Sequence, residues 1–238
     1  MNIALVGYGK MGKAIEEIAV ANGHTIGLKI DLDNAADLCA DKVAGIDVAI
    51  EFTGPHSAFD NVMKCLSLGI PVVCGSTGWL DKFKTIENLT TNKKGAFFYA
   101  SNFSVGVNIF FKLNEVLAKM MNNITDYNVV LEETHHTQKI DVPSGTAITL
   151  AEGVIENSNY NSWELAPAKD NEKLEINSKR YANIPGIHSV NYNSNIDEIS
   201  IKHTSHNREG FALGAVVAAE WIIGKKGVYT MNDVLNIK

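Results

Sequence analysis

Cysteine is scarce in this chain, and the three that are present form no recognisable set. Cys39, Cys65 and Cys74 stand far apart with no C-x-x-C pair, which excludes a disulfide frame and a zinc knuckle. They read as reduced core thiols. Clusters of lysine and arginine are missing as well, and the formal net charge is −6, so a nucleic-acid surface is not expected. Long apolar runs are also absent. The longest, Phe211 to Ile223, is too short to span a bilayer and carries Glu220. A strand-like run starts at Asn2, which leaves no signal peptide to expect. Internal repeats and low-complexity tracts are not apparent. What remains is 238 residues with 45% hydrophobic and 20% charged content. That suits a soluble, cytoplasmic protein of one large or two small domains, with neither nucleic acid nor membrane as partner.

Asn2 to Val6 is a short apolar run followed at once by Gly7-Tyr8-Gly9-Lys10-Met11-Gly12. Met11, Ile15, Ile18 and Ala19 then recur at helical spacing until Gly23, and a second strand runs from His24 to Ile30. Strand, glycine turn, helix and strand are the context in which G-x-G-x-x-G carries meaning. Gly7 allows the tight turn, Gly9 the approach of a pyrophosphate, and Gly12 the packing of helix on strand. Asp31 follows the second strand, where an acid can hold ribose hydroxyls. No arginine follows it to meet a 2′-phosphate, which favours NADH over NADPH, with Lys10 and Lys29 as opposing influences.

The alternation continues. Ile46 to Phe52, Pro71 to Cys74 and Ala96 to Ala100 read as strands, with helices ending near Leu68 and spanning about Asp81 to Leu89. The expected fold is α/β: a Rossmann-type doubly wound parallel sheet plus a second α+β domain with a mixed sheet. Loops Gly7–Gly12, Thr53–Pro55 and Gly75–Gly78 fall at the carboxyl ends of strands, where such sheets bind ligands. For the last two, simple turn chemistry is the competing explanation. The dinucleotide-binding domain is expected at 1–103 and 210–238, including a small-residue helix from Phe211 to Ile223. A substrate-binding and oligomerisation domain is expected at 104–209. In the latter, a helix from Val107 to Met121 leads to a strand, Tyr127 to Glu132. The polar stretch from Asn157 to Ser178 shows little periodicity, whereas Ile187 to Tyr192 and Glu198 to His203 alternate like antiparallel strands.

Between them lies the segment Glu133-Thr134-His135-His136-Thr137-Gln138-Lys139-Ile140-Asp141-Val142-Pro143-Ser144-Gly145-Thr146-Ala147. Two imidazoles and an amine can exchange protons near neutral pH. The Ser-Gly-Thr turn opens a helix from Thr146 to about Glu156, whose free N–H groups suit a carboxylate or phosphate. A solvated histidine pair beside an N-capping serine is the bland alternative. His24, His56 and His188 have no partner of catalytic spacing. His203-x-x-His206 lies on a strand end where the two would not converge, so no metal is expected.

These residues resemble the 4-hydroxy-tetrahydrodipicolinate reductase (dihydrodipicolinate reductase) family of the diaminopimelate route to lysine. Glu133, His135, His136, Lys139, Asp141, Pro143, Ser144, Gly145, Thr146 and Ala147 all match its loop. The glycine turn, Phe52-Thr53 with Pro55, Gly75 with Thr77-Gly78, Asn102 to Asn108, and Arg208 with Phe211, Ala212, Gly214 and Ala215 match in order. The chain departs from the pattern in a glycine turn one residue shorter, in Lys10, Ser76 and Val142, and in Ala182 and Ser189 within a later block containing Ser178, Arg180, Gly186, His188 and Val190. These changes bear on cofactor preference and packing. The resemblance implies reduction of a cyclic imine bearing two carboxylates, after loss of its 4-hydroxyl as water, with nicotinamide hydride delivered to C4. It implies His135 as proton donor and acceptor and Lys139 as second proton donor. His136, Ser144, Gly145, Thr146 and Arg208 would bind substrate; for Arg208 a surface ion pair is the alternative. Asp141 would fix the loop. The cofactor, NADH or NADPH, would meet Gly7, Tyr8, Gly9, Lys10, Met11, Gly12, Asp31, Phe52, Thr53, Gly75, Ser76, Thr77, Ala100, Ser101, Asn102 and Phe103. A homotetramer built through the second domain's sheets is implied too. An amino-acid dehydrogenase would share the first domain without needing the histidine loop, and a nucleotide sensor would need only the glycine turn and Asp31.

Overall fold

In the computed structural model, residues 1–238 are described except Asn171, Arg208 and Lys238. Contacts divide the chain into Met1–Val105 with Glu209–Lys238, and Gly106–Arg208.

In the first unit, six short strands form a wholly parallel sheet: β1 (Asn2–Val6), β2 (Thr25–Ile30), β3 (Val48–Glu51), β4 (Val72–Cys74), β5 (Ala96–Tyr99) and β11 (Gly227–Tyr229). Their order is β11-β5-β4-β3-β1-β2. Strands β1, β3, β4 and β5 are covered on both faces, which explains their largely apolar sequences, whereas the edge strand β2 alternates exposed and half-buried residues. Ile3 and Leu5 pack with Ile15 and Ala19 of α1 (Lys10–Ala21) and with Ala215, Ala219 and Ile222 of α6 (Glu209–Ile222). Ala4 and Val6 face the other way, towards Val62 and Leu66 of α2 (Ala58–Ser67) and Ile86 of α3 (Phe83–Lys93). Helix α6 is rich in glycine and alanine for a steric reason. A Cβ at Gly214 would lie 1.7 Å from the Phe103 carbonyl oxygen. Strand β11 and the short α7 (Met231–Val234) do not stand out in the sequence, because three and four residues carry too little pattern.

The second unit is built on a mixed sheet ordered β10-β9-β6-β8-β7. Its strands are β6 (Asn128–His135), β7 (Ser162–Leu165), β8 (Lys173–Arg180), β9 (Gly186–Asn193) and β10 (Glu198–Ser205). Strand β6 pairs parallel with β8 and antiparallel with β9. Val129, Leu131, Leu174, Ile176, Val190 and Tyr192 form one apolar face under α4 (Val105–Met121) and α5 (Gly145–Ile155). The other face is polar and carries the Lys179–Glu132 ion pair at 3.0 Å.

Two expectations change here. The stretch from Asn157 to Ser178 contains β7 and most of β8; Leu174 and Ile176 alternate with half-buried Glu175 and Asn177, a pattern obscured by the surrounding polar residues. Strand β6 continues past Glu132, so His135 ends a strand instead of sitting in a loop. Among the described residues, no helix is long and apolar enough to cross a membrane.

Candidate active site

At the carboxyl edge of the parallel sheet, β1 lies between β2 and β3, which makes the gap after β1 and β3 the topological switch point. Gly7 follows β1 with φ 97°, and a Cβ there would lie 2.4 Å from the Phe52 carbonyl oxygen. Both facts demand glycine. A Cβ at Gly12 would come within 2.2 Å of the Gly7 carbonyl oxygen, so α1 begins pressed on the turn. Gly9 differs: a Cβ there meets no described atom within 4 Å. It is the N-cap of α1 and makes no side-chain cap bond, so the helix start stays open to an anion. Tyr8 is half-buried and hydrogen-bonded to Glu16, Lys10 is exposed, and Met11 is half-buried.

A cavity of about 360 Å³ gathers Gly7, Gly9, Asp31, Phe52 and Thr53. It also takes in Leu32, His56, Ser57 and Asn61, which the sequence did not single out as site residues. Asp31 is exposed and caps a short 3-10 helix (Leu32–Asp37), accepting from the Leu32 N–H at 2.9 Å while Asn34 returns the bond. Lys29 is bound to Glu16 at 2.7 Å and to the Tyr8 hydroxyl at 3.2 Å. Gly75, Ser76 and Thr77 follow β4; a Cβ on Gly75 would strike the Phe52 ring at 2.2 Å, Ser76 is buried and Thr77 exposed. Ala100, Ser101, Asn102 and Phe103 follow β5, with Phe103 packed between the rings of Phe52 and Phe98.

In the second unit, His135 is 6% exposed and its ring lies 4.9 Å from that of His188, edge to face. His188, which has no partner of catalytic spacing along the chain, thus has neighbours in the fold. Antiparallel pairing sets His188 of β9 directly opposite Glu133 of β6, a neighbour that linear spacing cannot reveal. Glu133 is 1% exposed and holds the cluster together. It accepts from the Ser178 hydroxyl at 2.8 Å, from the Ser144 N–H at 3.1 Å, and from the Arg180 guanidinium at 3.4 Å. His135 Nδ1 lies 3.4 Å from the same carboxylate and His188 Nε2 lies 3.8 Å from it. Glu133 sat inside the matched segment and Arg180 inside the later block, but neither was singled out for a role.

Burial pushes the His135 pKa down, against the pull of Glu133. Burial also takes His188 down to about 3, helped by the neighbouring His135. Burial pushes the Glu133 carboxyl up, but bonds from Ser144 and Ser178 outweigh it, and the net shift is downward. Glu133, His135 and His188 bring three ligand-type atoms within 4.8 Å of one another. The Arg180 guanidinium already sits on this carboxylate, and a fixed cation there opposes a metal ion.

The loop after β6 places the remaining residues. Lys139 Nζ pairs with Asp141 Oδ2 at 2.8 Å, and that hydrogen bond holds the Asp141 carboxyl below its usual range. His136 is half-buried beside a cavity lined by Thr137, Ala182 and Pro185. Ser144 is buried as the N-cap of α5; its hydroxyl accepts from the Ala147 N–H and meets His188 Nε2 at 3.1 Å. Its side chain is thus committed within the protein. Gly145 is exposed and Thr146 half-buried, the first two residues of the helix. Arg208 lies outside the described residues. Elsewhere, His24 bonds Glu220 at 2.6 Å, and His203 stacks on Phe110.

The family model for the N-terminus of dihydrodipicolinate reductase matches residues 1–103, and that for its C-terminus matches residues 106–235. A 4-hydroxy-tetrahydrodipicolinate reductase of Christiangramia forsetii is 51% identical over 237 residues, 99% of this chain and 98% of the relative. One from Methanosarcina acetivorans is 34% identical, over 99% of this chain and 89% of its own. A solved dihydrodipicolinate reductase from Paenisporosarcina sp. TG-14, described as dipicolinate-bound, covers 98% of each chain at TM-score 0.81 and 22% identity, which supports the fold. The chain therefore belongs to the dihydrodipicolinate reductase family, oxidoreductases that carry out an NAD(P)H-dependent reduction in lysine biosynthesis.

Proposed function

We propose that this chain reduces 4-hydroxy-tetrahydrodipicolinate, with His135 and Lys139 moving protons and His136, Gly145 and Thr146 holding a substrate carboxylate. One observation carries the reading. The Ser144 N–H donates to Glu133 at 3.1 Å, tying the Ser144-capped start of α5 to the strand end that bears buried His135. A carboxylate seat and a proton carrier are thereby fixed to one another through a single side chain. The Paenisporosarcina relative is described with dipicolinate, a flat ring bearing two carboxylates, which supports a small dicarboxylate for this chain too.

The first unit fits a dinucleotide: positive φ at Gly7, open space at Gly9, an uncapped helix start and an exposed Asp31 around one cavity. When bound, the reduced nicotinamide supplies the hydride for C4 of the ring. NADH is favoured, because Lys29 is held by Glu16 and Tyr8 and no arginine follows Asp31. The ring then needs a proton at a neighbouring carbon and a donor to its imine nitrogen. A lowered pKa leaves His135 neutral near pH 7 and makes its protonated form a ready acid, so protons pass through it in either direction. Lys139 supplies the second proton, steered by Asp141. Ser144 acts through the helix cap, and Arg208 is kept as a candidate for the second carboxylate. The same reading takes the protein as a cytoplasmic homotetramer that uses no metal.

Nicotinamide absorbance, followed with substrate generated by the preceding synthase, tests the proposal. Oxidation that depends on substrate is expected. No oxidation of either cofactor by the folded protein overturns it.

A further inference from the structure

We infer that Glu133 is the positioning residue of His135: from inside the sheet, its carboxylate fixes which imidazole nitrogen carries the proton and which faces the reaction. The inference rests on the reading of His135 as proton carrier.

The geometry divides the work between the two carboxylate oxygens. Oε1 takes the Ser178 hydroxyl at 2.8 Å and both terminal nitrogens of Arg180 at 3.4 Å, which pins the side chain and compensates its charge. Oε2 takes the nearer arm of the Ser144 N–H, at 3.1 Å against 3.3 Å to Oε1, and stands 3.4 Å from His135 Nδ1. That nitrogen has no hydrogen-bond partner among the described residues, so this oxygen is the acceptor it faces. The bond, with Nδ1–H as donor, needs the ring to turn and close on this oxygen, because the 3.4 Å approach is not yet hydrogen-bond geometry. Nε2 is then the nitrogen that exchanges protons. The ring's other edge is kept clear by Gly186 of β9, where a Cβ would lie 3.2 Å from His135 Nε2.

The neighbours decide which imidazole responds to the carboxylate. His188 also approaches Glu133, at 3.8 Å, but its Nε2 is engaged by the Ser144 hydroxyl at 3.1 Å. Its strongly lowered pKa keeps it neutral, so it does not neutralise the carboxylate. Among the described residues, Arg180 on β8, Lys139 and Asp141 on the loop, and His203 on β10 beyond His188 also act on the pair. Lys139 and Arg180 oppose a charge on His135, whereas Asp141 and above all Glu133 favour it. Removing Glu133 therefore has a signed consequence: the His135 pKa falls further.

The test combines Glu133→Gln, His135→Gln and the double variant in the full-length protein. Glu133→Gln is expected to lower kcat by roughly 10–10²-fold, as when a metal-bound imidazole loses its orienting carboxylate, and to move the pH limb assigned to His135 to lower pH. NADH binding stays unchanged. Added to His135→Gln, it should cost little more, because a residue that acts through another has nothing left to act on. Losses that multiply in the double variant, or a parental pH limb in Glu133→Gln while His135→Gln is inactive, overturn the inference and leave the proposed function standing. Full turnover in His135→Gln removes His135 as the proton carrier, and the inference with it, while the reductase reading stands. Nitrogen NMR of His135 in the parent protein gives a reading without any substitution. A protonated Nδ1 with bare Nε2 in the neutral ring is expected, and the opposite tautomer rejects the assignment.

Discussion

At position 135 an imidazole is asked to exchange protons from a site only 6% exposed. If His135 and Lys139 relay protons, His135→Gln and Lys139→Ala should each lower turnover by roughly 10²–10⁴-fold. Cofactor affinity should hold, because neither residue belongs to the unit with the glycine turn. Near-parental kcat in either folded variant would remove that residue from the mechanism. His136 gives an internal comparison, since a binding group acts more through KM. His188 makes a different prediction, about stability. Its ordinary value of 6.5 falls to about 3 in the folded chain. Above pH 6.5 both folded and unfolded forms are neutral, and its contribution is fully present. As pH falls from 6.5 towards 3, the unfolded chain takes up a proton that the folded one refuses, so stability declines by about 1.4 kcal/mol per pH unit. Urea unfolding across that window should show a shallower decline in His188→Gln. Equal slopes for variant and parent would mean that His188 is not held neutral.

Helix α6 and the segment after β2 show how single elements are specified. Gly214→Ala would drive a methyl into the Phe103 carbonyl oxygen, at a built distance of 1.7 Å. The helix must move off the sheet, costing about 1–3 kcal/mol as in other overpacked cores. Thermal unfolding reads this directly, and an unchanged midpoint would contradict the packing described. The 3-10 helix after β2 depends on Asp31 for its cap and offers the same carboxylate to a ribose. Asp31→Ala should therefore weaken NADH more than NADPH, measured by binding titration, and the parent should use NADH at least as efficiently. A clear NADPH preference in the parent would make Lys10 or Lys29 the deciding group. Elements such as β1, β3 and β5 were legible in the sequence because strands buried on both faces read as plain apolar runs. Strand β8 was not, since its buried Leu174 and Ile176 alternate with Glu175 and Asn177. Nor was the end of β6, where the buried positions are Glu133 and His135 and a polar core imitates a loop. The chemistry of the histidine loop could be read from its residue types. The pairing of His188 with Glu133 could not, because it arises from a strand more than fifty residues away in sequence.

For the whole molecule, the remaining question is what covers the surfaces that one chain leaves bare. Strand β10 is an edge of the mixed sheet, with Ile199 38% exposed on it and a row of backbone groups open to pairing. A second surface lies on α4, where Ile109, Leu113, Val116 and Met120 form a stripe at helical spacing, each more than 40% exposed. The tetramer proposed above uses the sheet. Light scattering at micromolar concentration should then give four times the chain mass of 25.9 kDa. The two surfaces are separable by charge. Ile199→Lys should break the assembly into smaller species that keep their far-ultraviolet circular dichroism, whereas Met120→Lys should leave it intact. If the reverse holds, the α4 stripe is the interface. A monomeric parent at the same concentration rejects assembly through either surface.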